Sequence, residues 1–163
     1  MKKIKAFIMD VDGTMTDGKI YMGAGGEMFK AFDIKDGYGI HEILPKNQVK
    51  TVIMTGRASE IVQNRADELE IDIVMQNIKD KEKAVIKLAE EFGCGLDEFA
   101  YMGDDIIDLK PMLICGVSGC PRNAVERVME AADYVSDKNG GDGAVRDFIE
   151  WLAARNFTGV DKI

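Results

Sequence analysis

The chain is poor in the residues that build several common kinds of site. Its 163 residues include three cysteines and a single histidine, His41. Cys94, Cys115 and Cys120 are odd in number and show no CxxC spacing. That excludes a disulfide framework or a cysteine zinc site and suits a reducing compartment. No apolar run approaches the roughly 18 residues of a membrane span. The first apolar run is broken at Asp10, too short for a signal peptide, so a cytoplasmic setting is expected. Positive charge is also short: 21 Lys+Arg against 29 Asp+Glu give a formal charge of −8. A general nucleic-acid binder or a basic membrane-surface protein is therefore not expected. An anionic substrate stays open, because a local Lys/Arg pocket can outweigh the global field. Internal repeats, low-complexity segments and linkers are absent.

What is present reads as an ordinary globular chain, 46% hydrophobic and 31% charged, long enough to bury a sizeable core. The ten methionines suit core filling. Apolar strands are expected at 4–8, 49–54, 71–75, 99–102 and 113–117, with a short one at 133–135. Between them, helical periodicity predicts helices over 59–69, 79–92 and 106–113, one from Pro121 through Glu130, and a last one over 144–154. Strand-like runs around Gly23-Ala24-Gly25-Gly26 predict a β-hairpin insertion over about 19–32. A short helix follows, ended by Pro45, since proline cannot continue it. Strands alternating with helices imply right-handed βαβ units. The expected fold is α/β, a doubly wound parallel (Rossmann-like) sheet with a small β-hairpin insertion and no cap domain. Residues 1–155 are expected to form one domain, with a frayed tail over 156–163.

Several strands end in polar residues. The first runs into Asp10-Val11-Asp12-Gly13-Thr14, the second into Thr55-Gly56-Arg57, and the fourth into Gly103-Asp104-Asp105 with Asp108 a turn later. In a doubly wound sheet such ends converge on one crevice. Asp10 and Asp12 are two apart, so on a continuing strand they share a side. Crowded carboxylates repel unless a cation or a shared proton relieves them. Hard oxygen ligands without thiolates select Mg²⁺. Lys81 and Thr55 beside such an ion suit the equatorial oxygens of a phosphoryl group. Each element alone has a plainer reading. The first is equally an acidic turn, Thr55-Gly56 and Gly103-Asp104-Asp105 are equally helix caps, and Lys81 lies in a charged run whose default is a solvated face.

Taken together in order, Asp10-Val11-Asp12-Gly13-Thr14, Thr55, Lys81 and Gly103-Asp104-Asp105-Ile106-Ile107-Asp108 resemble the four motifs of the haloacid dehalogenase superfamily. The resemblance implies Asp10 as a nucleophile forming an aspartyl-phosphate, and Asp12 as general acid and then general base. It implies Thr55 and Lys81 on the phosphoryl oxygens, and Mg²⁺ held by Asp10, Asp104 and the backbone carbonyl of Asp12. Asp105 and Asp108 are implied as supporting or additional acidic positions. A receiver-type phospho-signalling domain fits less well, because its phosphorylated Asp ends strand three, where this chain has Met75-Gln76-Asn77, and a catalytically silent scaffold fits less well because no motif position is missing.

About 37 residues separate Asp17 from Thr55, which leaves no room for a cap of the usual size and resembles the capless subclass. Within it, Asp36-Gly37-Tyr38-Gly39-Ile40, Thr55-Gly56-Arg57 and Gly140-Gly141-Asp142-Gly143-Ala144-Val145-Arg146 are similar to the branch acting on 3-deoxy-manno-octulosonate 8-phosphate. That branch forms homotetramers through its hairpins. The implied partner is a small phosphorylated sugar acid, contacted by Gly56, Arg57, Arg65, the segment Asp33, Lys35, Asp36 and Gly37, His41, and Arg146. Three positions depart from the branch. Lys35 keeps a cation but loses arginine's fork, His41 stands where the branch has an arginine, and Asp33 adds a negative charge. Relatives acting on nine-carbon keto-sugar acid 9-phosphates therefore stay open as an alternative.

Overall fold

The computed structural model describes residues 3–156 of the chain. In chain order the elements are β1 (Ala6–Met9), the hairpin β2 (Tyr21–Gly23) and β3 (Gly26–Phe29), α1 (Ile34–Tyr38), α2 (Leu44–Lys46) and β4 (Lys50–Met54). There follow α3 (Glu60–Glu68), β5 (Ile73–Met75), α4 (Lys81–Phe92), β6 (Phe99–Met102) and α5 (Ile106–Ile114). The last are β7 (Val117–Cys120), α6 (Glu126–Ala131), β8 (Tyr134–Val135) and α7 (Ala144–Asn156).

Six strands make one sheet in the order β5-β4-β1-β6-β7-β8, every neighbouring pair parallel. The chain builds outward from β1 to one side, then crosses over and builds outward to the other. The gap between β1 and β6 is thus a topological switch point, where ligands bind beyond the carboxyl ends of the strands. β1 is paired on both edges and buried on both faces. Phe7 and Met9 join Ile40, Leu44, Val62, Phe148 and Ile149 on one side. Ala6 and Ile8 join Val85, Leu88, Tyr101, Met112 and Val128 on the other. Alternation along a strand produces this two-faced burial, and each large apolar side chain so buried contributes about 1.5–3 kcal/mol relative to exposure. The result is a stiff platform that ends at Asp10.

The parallel sheet, the hairpin and the absence of a cap agree with expectation, while some local boundaries do not. The strand expected at 113–117 is β7 at Val117–Cys120, because α5 runs on through Ile114 with Leu113 68% exposed on its outer side. Helix α6 starts at Glu126, not Pro121, after a turn in which Ala124 N–H donates to Pro121 O. Pro45 does not end its helix. The preceding turn, Gly39–Ile43, widens to a π-type register in which Leu44 N–H donates to Gly39 O, and the helix continues to Lys46. A widened turn absorbs a residue that cannot donate. The last helix reaches Asn156, and the rest of the tail expected over 156–163 lies outside the described residues.

Candidate active site

Beyond Met9 the chain leaves the sheet and coils tightly. Thr14, Met15 and Thr16 all donate their N–H groups to Val11 O, at 3.2, 2.9 and 3.1 Å. Gly13 holds this coil at φ +101°, and a Cβ there would stand 2.0 Å from Asp104 Oδ2. Only glycine accepts both the angle and the approach. A second close approach braces the coil from behind: a Cβ on Gly140 would meet Gly13 O at 1.8 Å, and Gly141 N–H donates to Thr14 O at 3.3 Å.

Within the crevice, Asp10 is 4% exposed. Lys81, the first residue of α4, lies 2.9 Å from Asp10 Oδ1 and 2.7 Å from Asp108 Oδ1. One oxygen each of Asp10, Asp104 and Asp108 lies within 4.8 Å of the others. Asp108 is already saturated. Its Oδ1 accepts from Lys81 and from the Tyr101 hydroxyl at 2.7 Å, and its Oδ2 accepts from the N–H groups of Asp104 and Asp105 at 3.2 and 3.3 Å. It therefore acts as an anchor that ties α4, β6 and α5 together. Asp105 stands exposed at the start of α5, where it accepts from Ile106 N–H at 2.7 Å and caps the helix. Thr14 Oγ1 donates to Asp104 Oδ1 at 2.9 Å.

The electrostatics of this group are those of excess negative charge. Burial, then the Asp108 carboxylate, push Asp10 up to about 6 against the pull of Lys81. Burial, then Asp10, push Asp104 up to about 7. Burial opposes the Lys81 ammonium, yet Asp10 and Asp108 outweigh it and raise its pKa. Oxygen ligands alone, crowded and incompletely neutralised by one lysine, fit a hard divalent cation. Asp10 and Asp104 are the carboxylates with capacity to hold one.

A second group faces the hairpin. The carboxylate of Asp12 does not join the three acids; its Oδ1 accepts from Lys30 Nζ, and its Oδ2 lies 3.9 Å from Arg57 Nη1. Lys30 Nζ is also 2.9 Å from Glu27 Oε1, and Arg57 Nη2 is 3.3 Å from the same oxygen. Lys30 beside Glu27 holds that carboxyl below its usual range. Thr55 directly follows β4, the strand paired with β1; it is 2% exposed and accepts from Arg57 N–H at 3.4 Å on Oγ1. Gly56 follows it.

The structure does not bring the remaining expected residues to Asp10. Asp33 caps α1, accepting from Lys35 N–H at 2.6 Å, and Lys35 is exposed. Asp36 is buried at the start of α7, where its Oδ1 accepts from Arg146 N–H at 2.7 Å. Arg65 pairs with Glu68 at 2.8 Å and packs against Phe32 and Gly37. Arg146 pairs with Glu150 at 2.7 Å and lies over the Tyr38 ring. His41 faces Leu69 O at 3.2 Å, in a cavity of about 520 Å³ that also includes Lys50, at the opposite end of β4 from Thr55. Sequence reasoning missed Lys30, Glu27 and Tyr101. Tyr101 reads as core within an apolar strand, and the hairpin charges carry no local signal of where they fold.

A family model described as haloacid dehalogenase-like hydrolase matches residues 71–149. The 3-deoxy-D-manno-octulosonate 8-phosphate phosphatase KdsC of Salmonella typhi is 39% identical over 151 residues, 93% of this chain and 80% of the relative. The chain belongs to the haloacid dehalogenase-like hydrolase family. Within the family, KdsC of Yersinia pestis is 40% identical over 149 residues, 91% of this chain and 79% of the relative. Among solved structures, the 3-deoxy-D-manno-octulosonate 8-phosphate phosphatase of Moraxella catarrhalis, in complex with magnesium ion, phosphate ion and KDO, superposes with TM-score 0.89 at 38% identity. That match covers 93% of this chain and 86% of the other. As a haloacid dehalogenase-like hydrolase this chain is capless: between Asp17 and Thr55 lie only the hairpin, α1, the π-type turn, α2 and the sheet strand β4. Among its described residues no helix is long and apolar enough to cross a membrane.

Proposed function

We propose that this chain is a Mg²⁺-dependent phosphatase that hydrolyses 3-deoxy-D-manno-octulosonate 8-phosphate through an aspartyl-phosphate on Asp10. The observation that carries the reading is Lys81 held between Asp10 and Asp108 at the switch point, with Asp104 beside them. The Salmonella and Yersinia relatives, and the KDO-bound Moraxella structure, supply the substrate class. Asp10, Asp104 and the Asp12 backbone carbonyl would hold Mg²⁺, which when bound offsets the charge that keeps a carboxylate and a phosphoryl group apart.

In this reading an Asp10 carboxylate oxygen bonds to phosphorus while the bond to the sugar oxygen breaks. Asp12 gives its proton to that oxygen, and the sugar alcohol leaves. Asp12 then takes a proton from water, whose oxygen attacks phosphorus, releasing phosphate and regenerating Asp10. Lys81 and Thr55 hold the phosphoryl oxygens, and Lys81 keeps Asp10 in line. Arg57, 41% exposed at the mouth, is the cation available to an acidic sugar.

We also propose a homotetramer joined through the hairpins. Among the described residues the hairpin's strands pair only with each other, and they present Met22, Met28 and Phe29 at 63%, 65% and 50% exposure. A two-stranded ribbon is marginal alone and gains by burying such a face. The free thiols of Cys94, Cys115 and Cys120 suit the cytoplasm. Phosphate release with Mg²⁺ from eight- and nine-carbon sugar acid phosphates tests the function. The eight-carbon substrate is expected to be preferred; preference for a nine-carbon one would move the substrate assignment, and no release from either would overturn the reading. Sedimentation of the same preparation as a monomer would overturn the tetramer.

A further inference from the structure

Lys30 follows β3 directly, and its side chain is 1% exposed. Lysine is almost never so buried unless paired. Its ammonium contacts Asp12 Oδ1 and lies 2.9 Å from Glu27 Oε1. Arg57 closes a ring, 3.3 Å from Glu27 Oε1 and 3.9 Å from Asp12 Oδ2. Around that ring the charges alternate: Asp12, Lys30, Glu27, Arg57. Ser59 Oγ fixes the far side by donating to Glu27 Oε2 at 3.0 Å. The two cations differ in kind. Arg57 is half-exposed, and its Asp12 contact is beyond hydrogen-bond length, whereas Lys30 is enclosed and bonds Asp12 directly. An apolar side chain would seat the base of the hairpin at least as stably as a buried ion pair, so this charge is better explained by what it orients.

We propose that Lys30 is a positioning residue for Asp12, delivered to the crevice by the hairpin. The hairpin is then a working part of the acid/base as well as a surface. This rests on the phosphatase reading above, in which Asp12 must reach the leaving oxygen. General acid catalysis depends on that reach, and a displacement of about 1 Å costs on the order of 10²-fold.

The test compares wild type, Lys30→Met, and Lys30→Met combined with Glu27→Gln, each with Mg²⁺ and each checked for fold by circular dichroism. Two probes are used: 3-deoxy-D-manno-octulosonate 8-phosphate, whose alcohol needs a proton to leave, and p-nitrophenyl phosphate, whose phenolate does not. kcat/KM reports formation of the aspartyl-phosphate, the step in which the two leaving groups differ. In both variants kcat/KM is expected to fall about 100-fold for the sugar phosphate and less than about threefold for the aryl phosphate. Equal losses on both probes would overturn the proposal, because a general structural lesion does not distinguish leaving groups. So would recovery of the sugar phosphate in the double variant, which would make Lys30 only a counter-charge for Glu27. The double variant, with one charge of each sign removed, keeps the test alive if Lys30→Met alone does not fold. Wild type inactive on both probes would overturn the phosphatase reading, and this proposal with it.

Discussion

In the crevice beyond β1 and β6, Asp10 and Asp104 are pushed up to about 6 and about 7; at the start of α7, Asp36 is pushed up to about 6. Burial is the first cause in all three, and the second cause separates the two regions. In the crevice it is another carboxylate, Asp108 for Asp10 and Asp10 for Asp104. At α7 it is the opposite, the N–H of Arg146, which lowers the pKa by bonding the carboxylate. Asp36 caps a helix across 110 residues of sequence, and its Oδ2 is buried without a hydrogen-bond partner. A raised carboxylate therefore reports desolvation in both places. Only where like charges converge beside a lysine does it mark a place for a cation and a phosphoryl group.

The two regions differ most at the nucleophile. Asp10→Asn is expected to reduce phosphate release by about 10⁴-fold or more with the circular dichroism spectrum unchanged, as loss of a nucleophile does. Asp36→Asn is expected to leave turnover near that of wild type. Retained turnover in Asp10→Asn would remove Asp10 from the proposed role.

Metal linkage is the next largest effect. Mg²⁺ at about 1,000 times its Kd should stabilise the fold by about 4 kcal/mol, read as a rise in Tm. A chelator should reverse that rise and stop turnover. Asp104→Asn should abolish the rise and Asp36→Asn should keep it. A rise that survives Asp104→Asn would place the ion elsewhere.

The smallest effect is a pH dependence that belongs to α7. Asp36 has a folded pKa of about 6 against an ordinary 3.8, so the folded chain binds the proton more tightly. Its stabilising contribution is complete below the ordinary value and is lost as pH rises from about 4 to about 6, by up to about 3 kcal/mol. Asp36→Asn keeps a side chain that caps well and removes the titration. Urea unfolding at pH 4 and pH 7 should therefore show a smaller difference in the variant than in wild type; an equal difference would refute the assignment.

Much of this arrangement was legible in the sequence, and for a local reason. The apolar run ending at Asp10, the glycine at 13 and the polar breaks after β4 and β6 are contiguous signals. Parallel pairing then forces their strand ends to one edge. Asp10, Asp104, Lys81 and Asp108 meet because each sits one step beyond, or one helix start away from, a strand whose neighbours are fixed. The segment from Asp33 to His41 resembles one substrate-binding stretch, yet within this chain its side chains take separate partners. Asp33 caps α1, Asp36 caps α7, and His41 lies toward the far end of β4.

The sequence by itself determined the alternation of strands and helices, the acidic turn and the small insertion, because periodicity and motif are properties of neighbouring residues. Tertiary structure decided which charges meet. Lys30 reaches Asp12 across the hairpin, Tyr101 turns from core residue to hydrogen-bond donor for Asp108, and Asp36 finds a helix that begins more than a hundred residues later. Those pairings depend on the path of the chain through space, and side-chain electrostatics act over a few ångströms of that space, whatever the separation along the sequence.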